Sequence, residues 1–169
     1  MTALKAQLTW VGSVLLGVFI LDQAAKAILR ATLDLGTSGR EGVFFQFVHH
    51  RNEGLVGGSF SSLPLVAIIA PPIALAIMVY LFRHLEPSSK WQAAAYGSIV
   101  GGALGNIADR LLFGGVTDFL QFHFYFVPFD FPWKYFPAFN VADAAIDIGV
   151  FVLLVTWNTG VRKDVSSTV

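Results

Sequence analysis

The sequence predicts an all-α membrane protein: four transmembrane helices with a small cradle of β-strands at the outer face. Three observations carry that expectation. Of 169 residues, 55% are hydrophobic and only 13% charged, a composition for which water is a poor solvent. The apolar residues gather in runs at about 8–29, 63–82, 91–113 and 139–157, each near the roughly 20 residues a helix needs to cross a bilayer. The charges collect between the runs. One integral membrane domain over 1–169 is therefore expected.

The first run carries Asp22 and Lys26, and it is too long, with no small-residue cleavage site, to read as a removed signal peptide. The second holds Pro71 and Pro72, where a kink is expected. The third is rich in small residues (Ala93, Ala95, Gly97, Gly101, Gly102, Gly105), a face that lets helix backbones approach closely. The fourth has Asp143 and Asp147 near its start.

Four spans put both termini on one side. The short segments there hold Lys5, Arg83, Lys90, Arg162 and Lys163, and Trp10, Trp91 and Trp157 lie at the same level. That is the positive-inside pattern with an aromatic belt, so both termini are expected in the cytoplasm and the loops at 30–62 and 114–138 outside. In the second outer loop DFLQFHFYFV (118–127) alternates, with Leu120, Phe122, Phe124 and Phe126 on one face and Gln121, His123 and Tyr125 on the other, which predicts a strand. Half of the chain's 16 phenylalanines fall between 113 and 136, so this segment is expected to lie against the bilayer surface. VFFQFVHH (43–50) is a second strand candidate, able to satisfy the backbone of the first.

Lys and Arg number 11, as do Asp and Glu, so the basic surplus of a nucleic-acid binder is missing, and the hydrophobicity excludes a disordered chain. There is no cysteine, hence no disulfide, thiol nucleophile or Cys-bound zinc. The four histidines, His49, His50, His84 and His123, form no ligand pattern. No metal or cofactor is expected.

Ionisable groups inside a span are costly and mark functional candidates. Asp22 and Lys26 stand four apart, the spacing of a helical ion pair. Asp109 and Arg110 close the third run, where Arg110 can snorkel or meet a carboxylate. Topology brings Asp118, just past the third helix, close to Asp143, which opens the fourth. Two carboxylates held together do not both ionise, so such a pair can serve as base and acid at once, the chemistry of an aspartic protease. A purely structural alternative has Asp118 cap a turn after Gly114 and Gly115, Asp143 complement the helix dipole, and Asn140 act only as an N-cap.

GGALGNIADRLLFGGVTDFLQF (101–122), FNVADAAIDIG (139–149) and LDQAAK (21–26) resemble, in order, three motifs of the lipoprotein signal peptidases, known as signal peptidase II. The resemblance spans the whole chain. It implies Asp118 and Asp143 as the catalytic dyad, Asn106, Arg110 and Asn140 around it, and Asp22, Lys26 and Asp109 in support. The family's Asn-x-Gly-x-Ala-Phe is met by Asn52 and Gly54, but Phe60 lies further along than the pattern has it, and Asp147 replaces a small or uncharged residue. By resemblance the substrate is a diacylglyceryl-modified prolipoprotein in the bacterial inner membrane, cut on the amino side of its lipid-bearing cysteine, and cyclic peptides of the globomycin type are expected inhibitors. Membrane lipid is the other expected partner. The alternatives in other classes are a small transporter or proton-relay bundle, using Asp22, Lys26, Asp109 and Asp143, and a noncatalytic lipoprotein chaperone.

Overall fold

The computed structural model describes residues 2–54, 64–124, 126–131 and 134–166, with side chains throughout except at 64–68, 71, 72, 75, 81 and 157–166. The chain is mostly helical with a small two-stranded antiparallel sheet. Its elements are α1 (Ala3–Thr32), β1 (Phe45–Asn52), α2 (Pro64–Phe82), α3 (Lys90–Phe113), β2 (Val116–Phe122) and α4 (Val141–Ser166). The helices fall on the predicted runs, although α1 extends beyond its run at both ends. α4 begins two residues later than its run and continues past it. α2 is continuous through Pro71 and Pro72; the side chains of that predicted kink, like Phe60 and Tyr125, lie outside the described residues.

Short-range chemistry sets the helix ends. Thr2 Oγ1 accepts Lys5 N at 3.3 Å and Ser89 Oγ accepts Gln92 N at 3.3 Å, each satisfying a first-turn donor. Gly114, at φ 76°, ends α3 in the left-handed region and bonds back to Arg110 O, a conformation that a Cβ disfavours. That turn delivers the chain into β2 within two residues.

α3 is the central helix, packed between α1 and α4, and its small residues make the packing possible. A Cβ on Gly101 would stand 2.6 Å from Leu15 O of α1, and one on Gly102 would stand 2.5 Å from Ala142 O of α4. Polarity is inverted relative to a water-soluble bundle. Asp22, Lys26 and Asp109 are fully buried, whereas Leu16, Ile20 and Ile28 of α1, Ile73 and Ile77 of α2, and Phe151 and Leu154 of α4 are exposed. Among the described residues, α1 is the helix long and apolar enough to cross a membrane.

β1 and β2 pair as the sequence predicts, but β2 starts at Val116 and stops at Phe122, earlier at both ends than the alternation suggests. The chain beyond Phe122 turns back instead. Segment 134–139 then runs along the outer side of β2, with Phe136 N bonding Phe122 O and Phe139 N bonding Leu120 O, both at 2.9 Å. Segment 36–39 covers β1 likewise, through Gly36 N to His49 O and Gly39 N to Phe47 O, both at 2.8 Å. Both sheet edges are thereby blunted. A bulge between Phe47 and His50 shifts the register so that His50 opposes Asp118.

Candidate active site

Asp118 and Asp143 come together where β2 meets the start of α4. Asp118 is 1% exposed, and each of its oxygens accepts one amide hydrogen bond: Oδ1 from Asn140 Nδ2 at 2.7 Å and Oδ2 from Asn52 Nδ2 at 3.0 Å. Asp143 Oδ1 accepts from Asn106 Nδ2 at 2.8 Å and Oδ2 from the Asn140 N–H at 3.3 Å. Asn140 returns the favour by accepting Asp143 N at Oδ1, 2.9 Å away, the reciprocal pattern of a capping box. The predicted N-cap role of Asn140 is thus present, and the same side chain also reaches Asp118.

All three asparagines point their NH2 groups at carboxylates, and the reason lies on their other side. Asn106 Oδ1 accepts from Lys26 Nζ at 2.9 Å, Asn52 Oδ1 from Gly54 N at 3.0 Å, and Asn140 Oδ1 from Asp143 N. An ammonium and two backbone N–H groups can only donate. Each therefore holds an amide oxygen, and the amide cannot flip without setting donor against donor. The pair of aspartates is surrounded by donors whose direction the fold dictates.

Burial, and next the charge of Asp143, push the Asp118 carboxyl up to about 7, against the pull of the Asn52 and Asn140 donors. Desolvation penalises the ionised form and a like charge adds to the penalty. A carboxyl poised there can exchange a proton at neutral pH.

The supporting residues build a second cluster under the first. Lys26 Nζ lies 2.8 Å from Asp22 Oδ2, the predicted ion pair, and 3.6 Å from Asp109 Oδ2. Asp22 Oδ1 accepts Ala142 N of α4 at 2.9 Å, which satisfies a first-turn donor and ties α1 to the start of α4. Asp109 Oδ2 accepts Thr117 N at 2.8 Å, fixing the backbone next to Asp118. Gly105 gives the Asp22 carboxylate its room, since a Cβ there would stand 2.5 Å from Oδ2. Arg110 turns to backbone carbonyls, Gly54 O at 2.9 Å and Asn106 O at 3.4 Å, so it holds the backbone just past β1 beside the site. Its Nε is buried with no hydrogen-bond partner among the described residues.

Three members of this network, Gln23, Arg30 and Thr117, were not singled out from the sequence. Gln23 Nε2 bonds Gly105 O and Asp22, both at 3.1 Å. Arg30, at the end of α1, turns inward to Thr117 Oγ1 at 2.9 Å and lies over the Phe113 ring at 4.1 Å. The signal for Arg30 was available: Asp22, Lys26 and Arg30 step by four along one face of α1. Asp147, one turn beyond Asp143, is exposed. The histidines are dispersed: His49 Nδ1 meets Leu33 O at 2.8 Å, His84 packs on Tyr80, and His123 is buried at the end of β2.

Residues 14–159 match the family model for signal peptidase (SPase) II. The chain belongs to this family. Relatives of the same kind include a lipoprotein signal peptidase from Aeromonas hydrophila, 35% identical with 98% of both chains covered. Another, from Geobacter sulfurreducens, is 38% identical over 85% of this chain and 88% of the relative. A solved structure described as a bacterial membrane enzyme superposes with a TM-score of 0.73 at 30% identity, covering 94% of this chain and 91% of the other. Signal peptidase II membership makes the chain a peptidase, and the fold it shares is that of a membrane enzyme.

Proposed function

We propose that the chain is an aspartic endopeptidase of the bacterial inner membrane that removes the signal peptide from diacylglyceryl-modified prolipoproteins, cutting on the amino side of the lipid-bearing cysteine. The observation that carries this reading is the Asp118 and Asp143 pair, drawn from different elements and bridged by Asn140. In the proposed reaction the ionised carboxylate takes a proton from water, whose oxygen adds to the scissile carbonyl carbon while the protonated carboxyl gives its proton to the carbonyl oxygen. Collapse of the tetrahedral intermediate breaks the C–N bond, and a proton from the pair goes to the leaving amine. The directed amides keep the pair oriented and make one negative charge tolerable there.

The chain in this reading is one integral membrane domain with four spans and both termini in the cytoplasm. Its support is the inverted polarity of the helices: fully buried Asp and Lys with exposed Leu, Ile and Phe suit lipid as solvent. The dyad sits at the sheet end of the bundle, where a lipid-anchored peptide bond at the outer interface would arrive. Asn52, Gly54, Asn106, Asp109, Arg110, Asn140, Asp22 and Lys26 bind or support, and globomycin-type cyclic peptides compete for the site. The decisive experiment is cleavage of a lipidated prolipoprotein by purified protein in detergent. Release of the signal peptide by the wild type and not by Asp118→Asn supports the reading; no cleavage by the wild type overturns it.

A further inference from the structure

Beside the dyad the sheet encloses a cavity of about 360 Å3, near the lower end of the roughly 300–1,000 Å3 of ligand sites. Its walls come from every lane of the sheet: Ser38 of the covering segment, His50 and Asn52 of β1, Asp118 and Gln121 of β2, and Ala138 of the returning segment. No helix contributes to it. Because Asp118 is itself a wall, a chain whose scissile carbonyl lies at the dyad already stands at this opening.

The register sets His50 directly across from Asp118, so both side chains rise from one face of the sheet. His50 is exposed and its side chain makes no hydrogen bond among the described residues, while its neighbour His49 is tied to Leu33 O. The lining mixes hydrogen-bonding groups, Ser38, His50, Asn52 and Gln121, with small apolar ones, Val48, Pro137 and Ala138, and, Asp118 apart, carries no carboxylate or fixed cation. Phe45, Phe47 and Phe122 stand exposed on the same two strands yet do not line it. Such a cavity suits peptide groups with their hydrogen bonds better than an acyl chain.

We propose that this cavity is the subsite for the polar chain on the carboxyl side of the scissile bond, the first residues of the mature lipoprotein, with His50 as a hydrogen-bonding contact. The proposal rests on the prolipoprotein reading above. The exposed faces of α1, α2 and α4 are apolar, so the lipid and the signal sequence belong beside the helices, and the polar continuation is left with the sheet.

The test measures kcat/KM in detergent for three lipidated peptides sharing one signal sequence. They end as an amide at the lipid-bearing cysteine, two residues beyond it, or four residues beyond it. The wild type is expected to gain about two- to tenfold from the extension, the worth of one net hydrogen bond. His50→Ala, a change at an exposed position, loses most of that gain; Ser38→Phe, which fills the cavity from its edge, loses all of it. An equal gain in the wild type and both variants, or no gain with length in the wild type, overturns the subsite and leaves the peptidase reading in place. If the wild type cuts none of the three peptides, that reading falls and the subsite falls with it.

Discussion

Asn140 joins two roles that one substitution separates. Its Oδ1 caps α4 by accepting Asp143 N at 2.9 Å, while Nδ2 donates to Asp118 Oδ1 at 2.7 Å. Serine caps a helix about as well as asparagine, but a hydroxyl engaged with Asp143 N is too short to reach Asp118. Asn140→Ser therefore keeps the helix start and removes one of two amide donors from the Asp118 carboxylate. A hydrogen bond to a charged group is worth about 1.5–3 kcal/mol, or about one to two pH units at 1.36 kcal/mol per unit. Asp118 already titrates near 7 because of burial and the Asp143 charge; fewer donors to its ionised form move it higher. The alkaline limb of the pH–rate profile, where the pair loses its shared proton, should shift up by about one unit, so the variant keeps its activity further into alkaline pH than the wild type does. Stability gives an independent reading of the same sign. The unfolded carboxyl ionises near about 3.9, while the folded one keeps its proton to about 7, so burying Asp118 costs nothing below that window and increasingly more as pH rises through it. The melting deficit of Asn140→Ser should accordingly be small at pH 4 and grow towards pH 8. An unmoved profile and a pH-independent melting difference would show that Asn140 is an N-cap and nothing more.

Asp118→Asn and Asp143→Asn should each reduce cleavage to background while elution in detergent stays that of the wild type, since an amide neither takes a proton from water nor returns one; turnover at the normal rate in either variant removes the dyad. Arg110→Lys keeps the charge but not the planar fork that bridges Gly54 O and Asn106 O, so kcat/KM should drop about three- to tenfold, and unchanged kinetics would make Arg110 an interfacial anchor only. Gly105→Ala drives a Cβ into the Asp22 carboxylate, and overpacking of this kind costs about 1–3 kcal/mol; a melting temperature equal to the wild type would contradict the packing. Asp147→Asn should retain cleavage, because Asp147 is exposed and lies about 6 Å further along α4 than Asp143. A dead Asp147→Asn alongside an active Asp143→Asn reverses the roles assigned on this helix.

Hydropathy located all four helices because a long apolar run is a local property of the sequence, although it left the ends of α1 and α4 several residues off. The strands were harder. Alternation marked β2, and the need for a partner marked β1, yet the alternation carried β2 on to Val127, whereas the chain leaves the sheet after Phe122 so that 134–139 can pair back along it. A return of this kind depends on a partner distant in sequence and leaves no local period. At the site, carboxylate positions were legible from topology, since a strand following α3 and a helix start preceding Asp143 must meet. The orientation of the surrounding amides was not. Which end of an asparagine faces a neighbour depends on what lies on its far side, and those groups, Lys26 for Asn106 and Gly54 N for Asn52, come from other elements or turns.

That dependence also explains why so costly a cluster sits beneath the site. A buried Asp22, Lys26 and Asp109 group gains little stability over well-packed apolar residues, and helices as rich in apolar residues as these have no shortage of substitutes. What apolar residues cannot do is hold a donor against Asn106 Oδ1, bind Ala142 N at the head of α4, and fix Thr117 N beside Asp118. Each arm of the cluster ends on a group adjacent to one of the two aspartates. The charges in α1 and α3 are therefore better read as the means by which two helices set the orientation of a carboxylate pair on a strand and a third helix than as a source of stability.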